Sequence, residues 1–281
     1  MPSEWIHLNV NNPCSDHAVR ATTNAPLALR ALAMAALLSF AFPLHANGGK
    51  DDYRLLELDG YKVKWGDHSL GVGASISYAF ADEPMTFDDA RNCADLDPME
   101  TLSGPDLSFE TWEREAAAAF SKWERAANLS FHQVDDPHNA DIVIGAQANP
   151  VGRAFANVTY HPGSKDGVRV IDQALVCFNP QHQWKVGFDG DTDVYDIRYT
   201  LAHEIGHAIG LDHPGPEGQI MGFRYTEAFT GLQPGDRRGI RQLYGASAHD
   251  SELASTDPDT QAPETPEADD FIETIPSLSI E

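Results

Sequence analysis

The run His203-Glu204-Ile205-Gly206-His207-Ala208-Ile209-Gly210-Leu211-Asp212-His213 constrains this chain more than any other stretch. On a helix, His203 and His207 stand about one turn apart on the same face. Two imidazoles so placed can share one Zn2+, at roughly 2.0–2.1 Å each. Glu204, between them, is close enough to exchange a proton with a water at the metal without being a ligand itself. Gly210 lets the chain leave the helix in a left-handed conformation that other residues resist. That reversal can return His213 as a third ligand. Three protein ligands leave a fourth position for water and substrate, as a catalytic zinc site requires and a structural one does not.

The surroundings of the run are helical. Val194, Ile197, Leu201, Ile205 and Ala208 recur at helical spacing and form an apolar stripe. At about 100° per residue, His203 and His207 fall opposite that stripe. The helix is therefore expected to bury one face and floor a cleft with the other. Asp191, Asp193 and Asp196 precede it, where carboxylates suit the positive end of the helix dipole.

Upstream, residues 75–80 alternate like a strand, with Ile76, Tyr78 and Phe80 on one side. Trp112, Ala116, Phe120, Trp123 and Ala127 then make a helical stripe, opened by Glu110 and Glu113. Further strands are expected near 129–134, 141–145, 153–160 and 168–177, and a closing helix near 236–244. The class is α+β. At 281 residues and 42% hydrophobic content, there is material for one core and little for two.

The two ends read differently. Arg30 precedes an apolar run over 31–42 that is too short to span a bilayer comfortably, and Pro43 and Ala46 follow. A leader over 1–46 with cleavage after Ala46 is expected, hence export as a secreted or periplasmic protein; an uncleaved anchor is the alternative. A short polar segment over 47–69 leads to a folded domain over 70–246. The tail over 247–281 has no Lys or Arg, accumulates Asp and Glu, and is expected to be disordered. It reads as a solubilising tail or as a partner-binding or secretion segment. The net charge of −24 argues against nucleic acid and anionic lipid as partners. After leader removal no stable membrane insertion is expected, and the protein is expected to be a monomer.

The run from His203 to His213 resembles the extended zinc signature H-E-x-x-H-x-x-G-x-x-H of the metzincin metallopeptidases. Gly218-Gln219-Ile220-Met221 places a methionine a short loop after the third histidine, as the metzincin Met-turn does. The segment 221–225, the closing stretch 239–245 and Asp236 look like the matrixin branch. Phe120, Trp123 and residues 140–144 resemble the first helix and a central strand of the same fold. The resemblance covers about residues 70–246. It implies a twisted, mostly parallel sheet with an antiparallel edge strand beside a cleft, an active-site helix and a closing C-terminal helix. It also implies one catalytic Zn2+ on His203, His207 and His213, Glu204 as general base and acid, and Met221 packed beneath the metal. Protein or peptide substrates, cut as by an endopeptidase, follow from the same likeness.

Residues 152–157 resemble the matrixin strand that borders the cleft. Ala154, Phe155 and Ala156 would either add a peptide as a further strand or form a simple covered strand. Phe223, Arg224 and Tyr225 are expected to wall the pocket for the residue after the cut bond. Phe223 stands where some metzincins have a metal-reaching tyrosine, so no fifth ligand is expected. The second, structural zinc of vertebrate-type matrixins has no matching loop, although His161 and Asp166 lie in that region; one zinc is expected.

Several readings stay open. The loop Asp189-Gly190-Asp191-Thr192-Asp193 suits Ca2+ or is an acidic lead into the helix. Cys93 and Cys177 form a disulfide in an oxidising compartment, or remain two buried thiols. In a third reading Cys93 inhibits the zinc, although Arg91-Asn92-Cys93-Ala94-Asp95 lacks the matrixin switch pattern. A non-catalytic zinc-binding or adhesion module and a zinc hydrolase of non-peptide bonds are the rival functions.

Overall fold

A computed structural model describes residues 52–105 and 107–247. The expected leader and the tail from 248 onward lie outside the described residues. Six of the nine described strands of the main sheet frame the site: β1 (Tyr61–Lys64), β2 (Ala74–Phe80), β3 (Leu129–Gln133), β4 (Ile142–Gln147), β5 (Ala154–Lys165) and β6 (Val168–Phe178). Three helices accompany them: α1 (Phe109–Ala126), α2 (Ile197–Ala208) and α3 (Pro234–Tyr244). The strands run in the order β3-β2-β4-β6-β5, and β1 joins β6 near its start. Neighbours are parallel except β5, which lies antiparallel on β6 and forms the edge.

The sheet is buried on both faces, as parallel sheets usually are. On one face Ile76, Tyr78 and Phe80 meet α1: the Tyr78 and Phe120 rings stack at 4.2 Å, and Phe80 meets Phe109 edge-on at 5.4 Å. On the other, Ala79, Val143, Leu175 and Cys177 pack under the loop that carries Met85, Cys93 and Leu96. A short hairpin (Met85–Thr86 with Asp95–Asp97) ties this loop to β4. A Cys93–Cys177 disulfide pins it to β6, with a Cα–Cα distance of 5.7 Å. Cys93 therefore carries no thiolate that could reach a metal. The link closes a loop of 84 residues, and removing it with Cys93→Ala and Cys177→Ala together is expected to cost roughly 2–4 kcal/mol. An unchanged urea midpoint in that variant would show that the loop is held without the bond.

Two boundaries differ from expectation. The strand expected over 153–160 continues to Lys165, because beyond an irregular stretch at 161–163 the exposed Ser164 and Lys165 pair with Arg169 and Val168 across a turn at Asp166-Gly167. Both turn residues have positive φ, 54° and 76°. The expected domain start at 70 cuts through the sheet, since β1 pairs with Val168–Val170. Val63 and Trp65 are buried there, and Trp65 Nε1 donates to Ala208 O at 2.9 Å at the end of α2. Strands of two to four residues with interspersed charges give no readable period-2 pattern.

Candidate metal centre and active site

The active-site helix α2 is more central than its sequence suggests. Eleven of its twelve residues are buried, and only Arg198 is not. The stripe of Ile197, Leu201, Ile205 and Ala208 does face the core, but so does the opposite side. There α1 crosses it, with Trp123 Nε1 donating to Ala202 O at 3.0 Å. Val194 precedes the helix, and so do Asp191 and Asp193. Asp196 is its N-cap, accepting from Tyr199 N at 2.7 Å and from Gly187 N at 2.6 Å. Burial pushes its carboxyl above the ordinary range, although these N–H groups oppose the shift.

Gly210 turns the chain out of the helix with φ +99°, and a Cβ there would lie 2.3 Å from Val63 O. Only glycine satisfies both the backbone and the contact. The turn returns His213 to the other two histidines. The Nε2 atoms lie 3.0 Å apart for His203–His213, 3.0 Å for His207–His213 and 3.2 Å for His203–His207.

The chemistry of the two helix-borne rings is set from behind. His203 Nδ1 is 2.7 Å from Ile220 O and His207 Nδ1 is 2.8 Å from Leu211 O. A carbonyl only accepts, so each Nδ1 carries the proton and each Nε2 presents a lone pair. Burial, and then the neighbouring His207, hold His203 well below the ordinary histidine value of 6.5, in its neutral form. The lone pairs of His203 and His207 face each other at 3.2 Å and repel unless a cation or a proton lies between them. Three nitrogens 3.0–3.2 Å apart lie on a circle of about 1.8 Å radius, inside the zinc–nitrogen distance of roughly 2.0–2.1 Å, so one ion can reach all three. Among the described residues, this trio alone gathers metal-ligating atoms of His, Cys, Asp or Glu within such a space. His161 instead pairs with Asp172 at 3.2 Å, and Asp166 forms the hairpin turn.

Glu204 is 2% exposed. Burial pushes its carboxyl up to about 8, against the opposing pull of the Arg153 charge and of the Ala156 N–H that it accepts. A divalent cation beside it would favour the ionised form. A cavity of about 20 Å3 is lined by Ala154, Phe155, Ala156, Glu204, His207, Asp212 and His213. That is room for a water-sized molecule between the edge strand and the histidines. Among the described residues β5 pairs only with β6, so its outer side is not taken by another strand.

The Met-turn closes the site from below. A Cβ on Gly206 would lie 2.2 Å from Met221 Sδ, so glycine in mid-helix lets the methionine pack directly against the motif. Asp236 of α3, 1% exposed, accepts from Ile220 N at 2.8 Å, Met221 N at 3.1 Å and Gln233 N at 2.8 Å. It thereby fixes the residue whose carbonyl orients His203. At the far end of α2, Tyr244 OH donates to Ile209 O at 3.0 Å.

The expected pocket residues divide. The Phe223 ring lies 6.2 Å from that of His213. Tyr225 is buried against Tyr195 and Tyr199, its hydroxyl donating to Glu227 Oε1 at 2.9 Å and accepting from Asp196 N at 3.0 Å. Arg224 pairs with Glu217 at 2.9 Å, its guanidinium 5.9 Å from the centre of the Phe223 ring. Arg153, not anticipated, lays its guanidinium 3.6 Å over the Tyr195 ring and 5.6 Å from that of Tyr225. In the acidic loop, Lys185 Nζ takes up the Asp189 carboxylate, Asp191 O at 2.6 Å and Glu227 Oε1 at 2.7 Å. Of the three loop carboxylates read as suited to calcium, that of Asp189 is thus taken by an ammonium of the chain itself.

A mostly parallel sheet with an antiparallel edge, a helix carrying two of three convergent histidines, and a methionine turn beneath them define a metzincin-type fold. Within that class a family model of the matrixins matches residues 99–245, and the chain belongs to the matrixin family. It is similar to Matrix metalloproteinase-B of Caenorhabditis elegans, at 25% identity over 207 residues, which cover 66% of this chain and 37% of that protein. It is 32% identical to a probable matrix metalloproteinase, 095L, of Invertebrate iridescent virus 3 over 145 residues (48% and 38% covered). It is 29% identical to karilysin of Tannerella forsythia over 146 residues (48% and 29% covered). The chain thus spans less than two-fifths of the length of each of these relatives.

Proposed function

We propose that this chain is a zinc-dependent endopeptidase that hydrolyses peptide bonds of proteins with Glu204 as general base and acid. The observation that carries the reading is the convergence of three imidazole Nε2 atoms beside a buried carboxylate that shares a cavity with the edge strand. His203, His207 and His213 would hold the ion. A zinc ion so held lowers the pKa of a water towards about 7 and polarises a carbonyl oxygen. Glu204, oriented by the Ala156 N–H, takes the proton of the attacking water and delivers it to the departing amine nitrogen. The open side of β5 offers backbone groups to an extended peptide, in the strand-addition mode. Phe223, beside His213, would wall the pocket for the residue after the cut bond, together with Tyr225. No covalent attachment to the protein is needed.

We further propose that the protein works outside the reducing cytoplasm, for which the Cys93–Cys177 disulfide is the support. No helix among the described residues is long and apolar enough to cross a membrane.

Cleavage of a denatured protein and of a mixed peptide library, with and without a chelator, tests the activity. Chelator-sensitive internal cleavage is expected. Zinc binding without any cleavage would favour a non-catalytic module, and cleavage of non-peptide esters alone would favour the other rival.

Acid should release the metal. Above the ordinary value of 6.5 both folded and unfolded chains hold His203 neutral. Below it the unfolded chain takes a proton that the buried ring refuses, so stability falls as pH falls. Protonation also competes with the ion for Nε2. Zinc content measured across pH 7 to about 4 should therefore drop, and a protein fully loaded near pH 4 would contradict the site.

A further inference from the structure

The strand between the second and third metal ligands is not free-standing. Leu211–Asp212 pairs antiparallel with Arg54–Leu55, and Leu56 N donates to Gly210 O at 2.8 Å. Leu211 is also the residue whose carbonyl orients His207. Asp212 uses both carboxylate oxygens: Oδ1 accepts from His213 N at 2.7 Å, and Oδ2 meets Arg54 Nε at 3.0 Å. A segment from the start of the described chain, some forty residues ahead of the part that matches the family, thus grips the strand that aims two of the three ligands. Leu55 and Leu56 are buried beneath it, and Arg238 of α3 holds Asp52 at its start.

We propose that Arg54 and Asp212 form a metal-retaining clamp, in which Arg54 is a positioning residue for His213 acting through Asp212. The inference rests on the zinc reading of the site. Once Gly210 has turned the chain, α2 holds this strand through His207 Nδ1 on Leu211 O; Asp212 is held by the pairing with Arg54–Leu55 and by the ion pair. If the clamp opens, His213 N loses its acceptor and its ring loses its aim. Partners that orient metal ligands from behind typically carry ten- to hundredfold in affinity. Arg54 is largely exposed and Asp212 one-fifth exposed, so screening by solvent and salt reduces the share of Arg54.

The test is the rate of zinc loss to a chromogenic chelator from the loaded protein, beside the melting temperature of the metal-free form. Asp212→Asn is expected to speed loss about tenfold and Arg54→Ala about threefold, with Arg54→Lys close to the unaltered protein. The double variant should lose zinc no faster than Asp212→Asn alone, because the two residues act as one unit. Rising salt should speed loss from the unaltered protein towards the Arg54→Ala rate and leave Arg54→Ala itself unchanged. Metal-free melting should shift little in either variant. The control is Glu83→Gln, which breaks an exposed ion pair with His138 at 3.1 Å and should leave zinc loss unchanged. Unchanged rates in both clamp variants, additive effects, or equal loss in the control would overturn the clamp while leaving the zinc site standing. An unaltered protein that holds no zinc would overturn both.

Discussion

Glu204→Gln is expected to keep its zinc and lose peptide hydrolysis by at least about 10^2–10^4-fold, the usual contribution of a positioned general base and acid. The amide has the size of the carboxylate and an oxygen that still accepts from Ala156 N–H, so the cavity and the edge strand keep their shape. What it lacks is a site for the proton of water. His203 and His207 cannot substitute, because each gives its Nδ1 proton to a carbonyl and its Nε2 would be taken up by the ion. The measurement pairs metal content with turnover of an unstructured peptide. Full activity in a zinc-loaded Glu204→Gln protein would remove the assigned base, and parallel loss of zinc and activity would make Glu204 a structural support.

Asp236→Ala should have the largest effect on the folded state. Its carboxylate accepts from three backbone N–H groups in a site sealed from solvent. Each stranded donor costs about 1–3 kcal/mol, against a total stability of roughly 5–15 kcal/mol for a domain. The loss should reach the metal as well, since Ile220 is held by Asp236 and in turn fixes His203. Urea unfolding with and without zinc should show a lower midpoint and a smaller stabilisation by the ion. Asp236→Asn keeps one accepting oxygen and should fall between the two, which gives a folded variant for the zinc measurement. If Asp236→Ala unfolded at the same urea concentration as the unaltered protein, the link from closing helix to ligand would be wrong.

Much of the frame was legible because it is carried by period and spacing. Tyr78 and Phe80 alternate, Trp112 to Trp123 repeat at helical intervals, and the histidine run fixes its own geometry through Gly210. The parts that escaped are those where one side chain serves a distant backbone. Gly206 gave a signal that could have been taken further, since a glycine inside a helix costs about 1 kcal/mol and so calls for a packing reason. That reason is Met221, fifteen residues on. Asp236 matched a motif, but its three donors become visible only once α3 lies against the methionine turn. Arg54–Leu55 is two residues long and has no pattern to read. The apolar stripe on α2 suggested a one-sided helix because periodicity reports the face that is apolar, not whether polar residues opposite it are sealed by a second layer.

Lys185 has a consequence for the wall of the cleft. Its ammonium draws together Glu227, which holds the Tyr225 hydroxyl, and the loop that leads into the active-site helix. A corner braced by a diffusing ion stands or falls with the supply of that ion. Here the cation that joins Glu227 to the loop is a side chain, and it arrives with every copy of the chain.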